Sequence, residues 1–190
     1  MTATDRKPDD ALSRLSAALG ALPKKGPPPV ERWNPDYCGA IDMRIDGEGT
    51  WFYMGTPIGR PALVKLFASV LRKDPERFVL VTPVERVGIE VADAPFMAVE
   101  MAVEGTGSGR TIAFRTNVDD LVSVDDDHPL RFESGPGGGL KPYVLVRGGL
   151  WAKVTRALTY DLLELTAEHG DRTGVFVSGR FYPVPADQAG

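Results

Sequence analysis

From Ile41 to Ile45 apolar and charged residues alternate, with Ile41, Met43 and Ile45 on one face and Asp42 and Arg44 on the other. That period of two predicts a strand. Asp46–Gly49 supplies turn-forming residues, and the aromatic run Thr50–Met54 predicts the return strand of a hairpin. Thr56-Pro57 ends it, because proline has no N–H to give to a ladder. The period then changes. Leu63, Leu66, Phe67, Val70 and Leu71 recur at helical spacing behind Pro61, while Lys65, Ser69 and Arg72 fall on the opposite side. This predicts one amphipathic helix, closed by Arg72, Lys73 and Pro75. Its apolar stripe docks it on a sheet, so Leu66→Asp is expected among the most damaging single changes.

Further along, Phe78–Thr82 reads as a buried strand, and Val87, Ile89 and Val91 as a half-exposed one. Met97, Val99, Met101 and Val103 alternate with Glu100 and Glu104, and Gly105–Gly109 closes a hairpin onto Thr111–Thr116, with Ile112 and Phe114 inward. Leu121–Val124 is a short strand before the acidic turn Asp125–Asp127. Leu130-Arg131-Phe132, the loop Gly135–Gly139 and Tyr143–Val146 repeat the early hairpin pattern. A longer helix is expected over about Leu150–His169, with Gly170 at its C′ position. Ahead of all this, Ala11–Leu22 can form a short helix, and Pro27-Pro28-Pro29 a stiff spacer. Both a loosely ordered tail and a helix docked on the body or on a partner fit that pattern.

Val79 and Val175, Arg60 and Arg156, and Leu66 and Leu162 each stand 96 residues apart. A shared offset across helix and strand points to an internal duplication. The fold class expected is therefore α+β: two tandem related units, each a mostly antiparallel curved sheet with one packed helix. Residues 1–31 are read as an extension, 32–105 as the first unit and 106–190 as the second.

Composition narrows the partners. A net charge of −4 gives no global basic field for nucleic acid or anionic membranes. No apolar run approaches the roughly 20 residues of a membrane span. No signal-peptide core is visible, so the default location is cytoplasmic. A single cysteine, Cys38, excludes an internal disulfide and a cysteine-rich zinc site, and is expected as a small core residue.

Several stretches together carry a family resemblance: CGAIDMRI, GTWFYMGTPIGRPALVKLFASVLR, LVTPVERVGIEVADAPF, FRTNVDD, HPLR and PYVLVRGGLWAKVTRALTYDLLE. From about Trp33 to Tyr182 the chain resembles the bacterial domain-of-unknown-function family twelve eighty-five. The resemblance implies a duplicated α/β core whose C-terminal half is superficially like a pleckstrin-homology fold. It also implies a ligand site between the halves for a nucleotide-based molecule, and a role in signal transduction. It implies no established activity.

The chemistry-bearing residues form no recognisable catalytic set. Of the two histidines, His169 is explained by a helix C-terminus, and His128 follows three aspartates in a loop. Both glycine-rich loops lead into strands, whereas phosphate-cradling loops lead into helices. The consecutive aspartates lack the alternation of a calcium loop, so no metal or cofactor is expected. Arginines are more informative. Arg44 and Arg131 occupy matching hairpin positions, and Arg60 and Arg156 matching helix positions; Arg115 points outward from its strand and Arg147 ends one. If the halves pack face to face, these guanidinium groups converge, and paired donors of this kind bind phosphate or carboxylate. The candidate ligand-binding set is Arg44, Arg60, Glu85, Arg115, Thr116, Asn117, His128, Arg147 and Arg156. The expected function is a non-catalytic module that binds an anionic small molecule, a nucleotide among the candidates, between its two halves. The alternatives are an enzyme on a phosphorylated or nucleotide substrate, with His128 or Glu85 as acid/base, and a protein-interaction domain using a pleckstrin-homology-like surface or the N-terminal helix.

Overall fold

The computed structural model describes residues 8–186, so residues 1–7 and 187–190 of the two terminal segments lie outside the described part. The chain divides into two compact units between Asp93 and Ala94. The expected boundary after residue 105 is displaced because β7 (Phe96–Glu104) pairs with strands of the second unit.

The first unit opens with α1 (Pro8–Gly20) and builds one six-stranded sheet. Its strands are β1 (Tyr37–Ile45), β2 (Trp51–Tyr53), β3 (Thr56–Pro57), β4 (Leu71–Lys73), β5 (Phe78–Val81) and β6 (Arg86–Val91), in the order β3-β2-β1-β6-β5-β4. Only β1 and β6 run parallel within it. The alternation at the end of β1 is obeyed: Met43 and Ile45 are buried, Asp42 and Arg44 exposed. The β1–β2 turn is fixed by Asp46, whose Oδ1 accepts the backbone N–H groups of Glu48 and Thr50, both at 2.9 Å. Pro57 sits in the edge strand β3, where its missing donor leaves no ladder bond unmade.

Helix α2 (Pro61–Ser69) joins β3 to β4 and is shorter than the sequence implies. Leu71 fits either period; in the fold it enters β4 and pairs with Leu80. At the point of change, Ser69 Oγ donates to the Leu66 carbonyl at 2.6 Å, one of the orphan acceptors at the helix end. Phe67 is fully buried and stacks on Trp51 with centroids 6.4 Å apart, whereas Leu66 is only half-buried. Leu66 therefore gives way to Phe67 as the anchor of this helix. Leu15 and Leu19 are also buried, and α1 packs against α2 and β1, so the N-terminal segment is a helix docked on its own unit.

The second unit holds a six-stranded sheet of β7, β8 (Thr111–Thr116), β9 (Leu121–Ser123), β10 (Leu130–Ser134), β11 (Leu140–Arg147) and β12 (Leu150–Val154). Its order is β10-β11-β12-β7-β8-β9, with β12 and β7 parallel. Helix α3 (Arg156–Glu164) follows, then a three-stranded meander of β13 (Thr166–His169), β14 (Arg172–Val177) and β15 (Arg180–Pro183). The long helix expected over Leu150–His169 is thus three elements. Leu150, Ala152 and Val154 are buried at a period of two, and Gly148-Gly149, both at positive φ, form the hairpin turn before them. His169 consequently ends a strand, with its ring 5.2 Å from that of Phe176 and 5.0 Å from that of Phe181.

Two correspondences between the units coexist. In chain order, β1-β2-β3, α2 and β4-β5-β6 match β10-β11-β12, α3 and β13-β14-β15, which is the offset visible in the sequence. In sheet wiring, however, β1–β6 match β7–β12: both sheets join two three-stranded meanders through one parallel central pair.

Candidate functional site

In the first unit, β4 and β5 are joined by the turn Asp74-Pro75-Glu76-Arg77, closed by reciprocal backbone hydrogen bonds between Asp74 and Arg77. The alternation of β6 puts Arg86, Gly88 and Glu90 on one face. Tyr37, at the start of β1, lies over Gly88, where an added Cβ would stand 2.7 Å from the Tyr37 hydroxyl. These residues wall two adjoining recesses. One, of about 310 Å³, is lined by Tyr37, Asp74, Pro75, Glu76, Arg77 and Arg86. The other, of about 410 Å³, shares Glu76 and Arg77 and continues over Arg44, Phe78 and Glu90.

The charges there are unevenly committed. Asp74 takes Arg72 Nε at 2.7 Å on one oxygen and Arg86 Nη1 at 3.1 Å on the other, so one carboxylate faces two guanidinium groups. Arg86 Nε is buried and has no hydrogen-bond partner. Arg77 lies 4.4 Å from the centre of the Tyr37 ring and meets Glu76 at 3.5 Å across an exposed pair, which contributes little. The Tyr37 hydroxyl, followed by Glu76, raises the Arg77 pKa above its ordinary value. Arg44 stacks on Phe52 at 3.9 Å, its cross-strand partner, and makes no ion pair among the described residues. Stacking fixes a guanidinium plane while leaving its edge donors for an anion.

The remaining candidates are distributed. Arg60 is the exposed N-cap residue of α2 and makes no ion pair among the described residues. Glu85 is buried in the β5–β6 turn and is met by Arg14 of α1 at 3.3 Å, so it ties the helix to the sheet. In the second unit, Thr116, Asn117 and Arg147 gather at one end of the sheet. Thr116 Oγ1 is consumed by the N–H groups of Val118 and Asp120 at 3.3 and 3.1 Å, and Asn117 Oδ1 accepts the Met97 N–H at 3.0 Å. Arg147 lies over Phe96 at 5.1 Å and reaches Asp120 Oδ2 at 3.7 Å. Arg115 is claimed by Glu100 through Nε at 2.8 Å and by Asp119 through Nη1 at 2.9 Å; the pair with Glu100 raises the arginine and lowers the carboxyl. His128 Nδ1 lies 3.1 Å from Asp125 Oδ1, which also accepts the backbone N–H groups of His128 and Asp127 and is held below the usual carboxylate range by them. Arg156 donates to the Tyr160 hydroxyl at 3.2 and 3.3 Å. Arg131, the hairpin counterpart of Arg44, likewise stacks on its cross-strand partner, Tyr143, and on Trp151, but it also pairs with Glu133 at 2.9 Å. Cys38 is exposed rather than in the core, because β1 is irregular and uncovered before Met43.

Asp120 is where burial leaves a mark. Its Oδ2 is buried without a hydrogen bond, and desolvation raises its pKa against the pull of Arg147. A carboxyl raised in the folded state favours folding below its unfolded pKa and loses that contribution as pH rises through the folded value. Asp120→Asn is therefore expected to melt slightly above the parent at pH 7, with the difference shrinking as the buffer approaches pH 4. Paired thermal melts across that range check it.

Tyr37, Arg77, Arg86 and Glu90 line these recesses and stand outside the set expected from sequence. For Arg86 and Glu90 the signal was present, since RVGIEV alternates about Gly88.

A family model for the N-terminal domain of a domain of unknown function, DUF1285, matches residues 28–94, and that for the DUF1285 C-terminal domain matches residues 95–184. The chain belongs to the DUF1285 family. The crystal structure of a DUF1285 family protein from Silicibacter pomeroyi DSS-3 is similar over 90% of this chain and 93% of that one, with 47% identity and a TM-score of 0.84. A second, from Shewanella baltica OS155, is 28% identical with a TM-score of 0.51, covering 65% of this chain and 91% of that one. Comparison with the curated proteins gives no match. The two DUF1285 models meet where the compact units divide. No helix among the described residues is long and apolar enough to cross a membrane.

Proposed function

We propose that this DUF1285 protein is a non-catalytic module that binds an anionic small molecule, with nucleotides as the first class to try and a signalling role for the bound form. The observation that supports it is the recess of the first unit. Arg44, Arg77 and Arg86 line adjoining hollows: Arg44 makes no ion pair among the described residues, Arg77 meets Glu76 in a weak exposed pair, and Arg86 holds Asp74 through Nη1 but keeps Nε without a partner. Volumes of about 310 and 410 Å³ suit a ligand of this size. Cytoplasmic location belongs to the same reading, as the place where such ligands occur. An enzyme built on His128 or Glu85 is less favoured, because each is already held by a partner, Asp125 and Arg14 respectively. A partner gripping the N-terminal helix would compete with the packing that buries Leu15 and Leu19.

Ligand binding to the native state must raise stability, by about 2.7 kcal/mol at a hundred times Kd. A thermal-shift series of nucleotides and simple phosphates is expected to contain members that raise the melting temperature of the parent and leave Arg77→Ala unmoved. No shift with any of them at millimolar concentration would overturn the proposal.

A further inference from the structure

Arg44 and Glu90 are direct neighbours across the parallel β1–β6 pair, yet they do not close on each other. Arg44 turns its guanidinium onto Phe52 at 3.9 Å. Glu90 is exposed, and among the described residues it makes no ion pair. Opposite charges on neighbouring strands, about 4.8 Å apart at the backbone, ordinarily attract and steady the sheet. Here the pair is held apart and both members face the same recess. The adjoining recess repeats the theme, with Arg77 and Arg86 set among Glu76 and Asp74. A site for a pure anion would gain from cations alone. A carboxylate free of intramolecular partners in its wall repels an anion unless the ligand brings something for it to accept.

We infer that the recess of the first unit takes an anion that also carries an N–H donor or ammonium group, with Arg44 and Arg77 receiving the anionic end and Glu90 accepting from the nitrogen. This rests on the anion-binding reading above and narrows it. Two sources share that chemistry: small zwitterions of the amino-phosphate or amino-acid kind, and nucleotides whose base presents an exocyclic amino group. Glu90 acts as a specificity residue, since a carboxylate that loses its hydration on binding rejects a ligand with nothing to donate.

The test uses the full-length protein and two matched pairs, phosphoethanolamine against ethyl phosphate and adenosine monophosphate against purine riboside monophosphate, whose base carries no N–H. Within each pair a nitrogen donor is the main difference. Titration calorimetry is expected to show, for at least one pair, the donor-bearing member binding about tenfold more tightly, as a charge-assisted hydrogen bond supplies. Glu90→Ala, a change at an exposed position, is expected to erase that preference and to leave the donor-free member bound as well as before or better. Arg77→Ala is expected to weaken both members. If both members of each pair bind alike and Glu90→Ala changes nothing, the inference is overturned while anion binding stands. If none of the four probes binds, both fall.

Discussion

Arg72→Ala is expected to lower the unfolding free energy by about 3–5 kcal/mol, the cost of removing one partner from a buried ion pair. By spacing alone Arg72 falls on the polar side of a helix, near its C-terminus. In the fold it lies in β4, is 8% exposed, and donates to three acceptors: Asp74 Oδ1 at 2.7 Å, the Val30 carbonyl at 2.8 Å and the Trp33 carbonyl at 2.7 Å. Those carbonyls belong to the segment that brings the chain into β1, so one guanidinium pins the entry of the fold to its edge strand. Alanine would leave the two carbonyls without this donor and Asp74 with Arg86 alone. Arg72→Lys would restore only part of the loss, because an ammonium cannot present the same planar fork. Urea unfolding of the three proteins checks the order. An Arg72→Ala protein within 1 kcal/mol of the parent, on the scale of an ordinary surface substitution, would remove this residue from the account.

The second large effect is Phe67→Asp. Phe67 has no exposed surface and stacks on Trp51, itself 1% exposed. Truncating a buried aromatic costs about 3–5 kcal/mol, and a charge stranded in its place costs more. Leu66→Asp, one position away and half-buried, is expected to lose less than half as much. Side-by-side melting of the two variants decides which side of α2 faces the core. Equal losses would contradict the orientation described here.

The misplacement of Leu66 shows how far periodicity can be read. Strands bounded by a glycine or aspartate turn were legible, because alternation and turn chemistry agree. β8 buried Ile112 and Phe114 as expected, and both glycine-rich loops join antiparallel strands. The errors fell where one run of residues satisfies two periods. Leu71 fits both the i, i+4 spacing of α2 and the alternation of β4. Leu150 and Val154 fit both a helical stripe and the inward face of β12, and only the Gly148-Gly149 turn decides between them. The wiring through a parallel central pair was not legible at all. β6 meets β1, and β12 meets β7, through contacts between strands far apart in sequence.

The candidate site was legible in kind and not in place. The matching positions of Arg44 and Arg131 reappear as two arginines stacked on cross-strand aromatic rings. Spacing alone does not show which guanidinium a carboxylate will claim. Arg115 is taken by Glu100 and Asp119, and Arg131 by Glu133, whereas Arg44 keeps its edge. Arg77 is reached by no periodic pattern, because a tight turn brings it to the recess, whereas Arg86 follows the alternation of β6.

The most direct measurement is an arginine side-chain Nε–Hε NMR titration of the intact protein with a phosphate-bearing ligand drawn from the thermal-shift series. Saturable shifts centred on Arg44, Arg77 and Arg86, with Arg115 and Arg131 unmoved, are the predicted result. Shifts confined to Arg115, Arg131 or Arg156, or a linear drift of all resonances without saturation, would contradict a binding recess in the first unit.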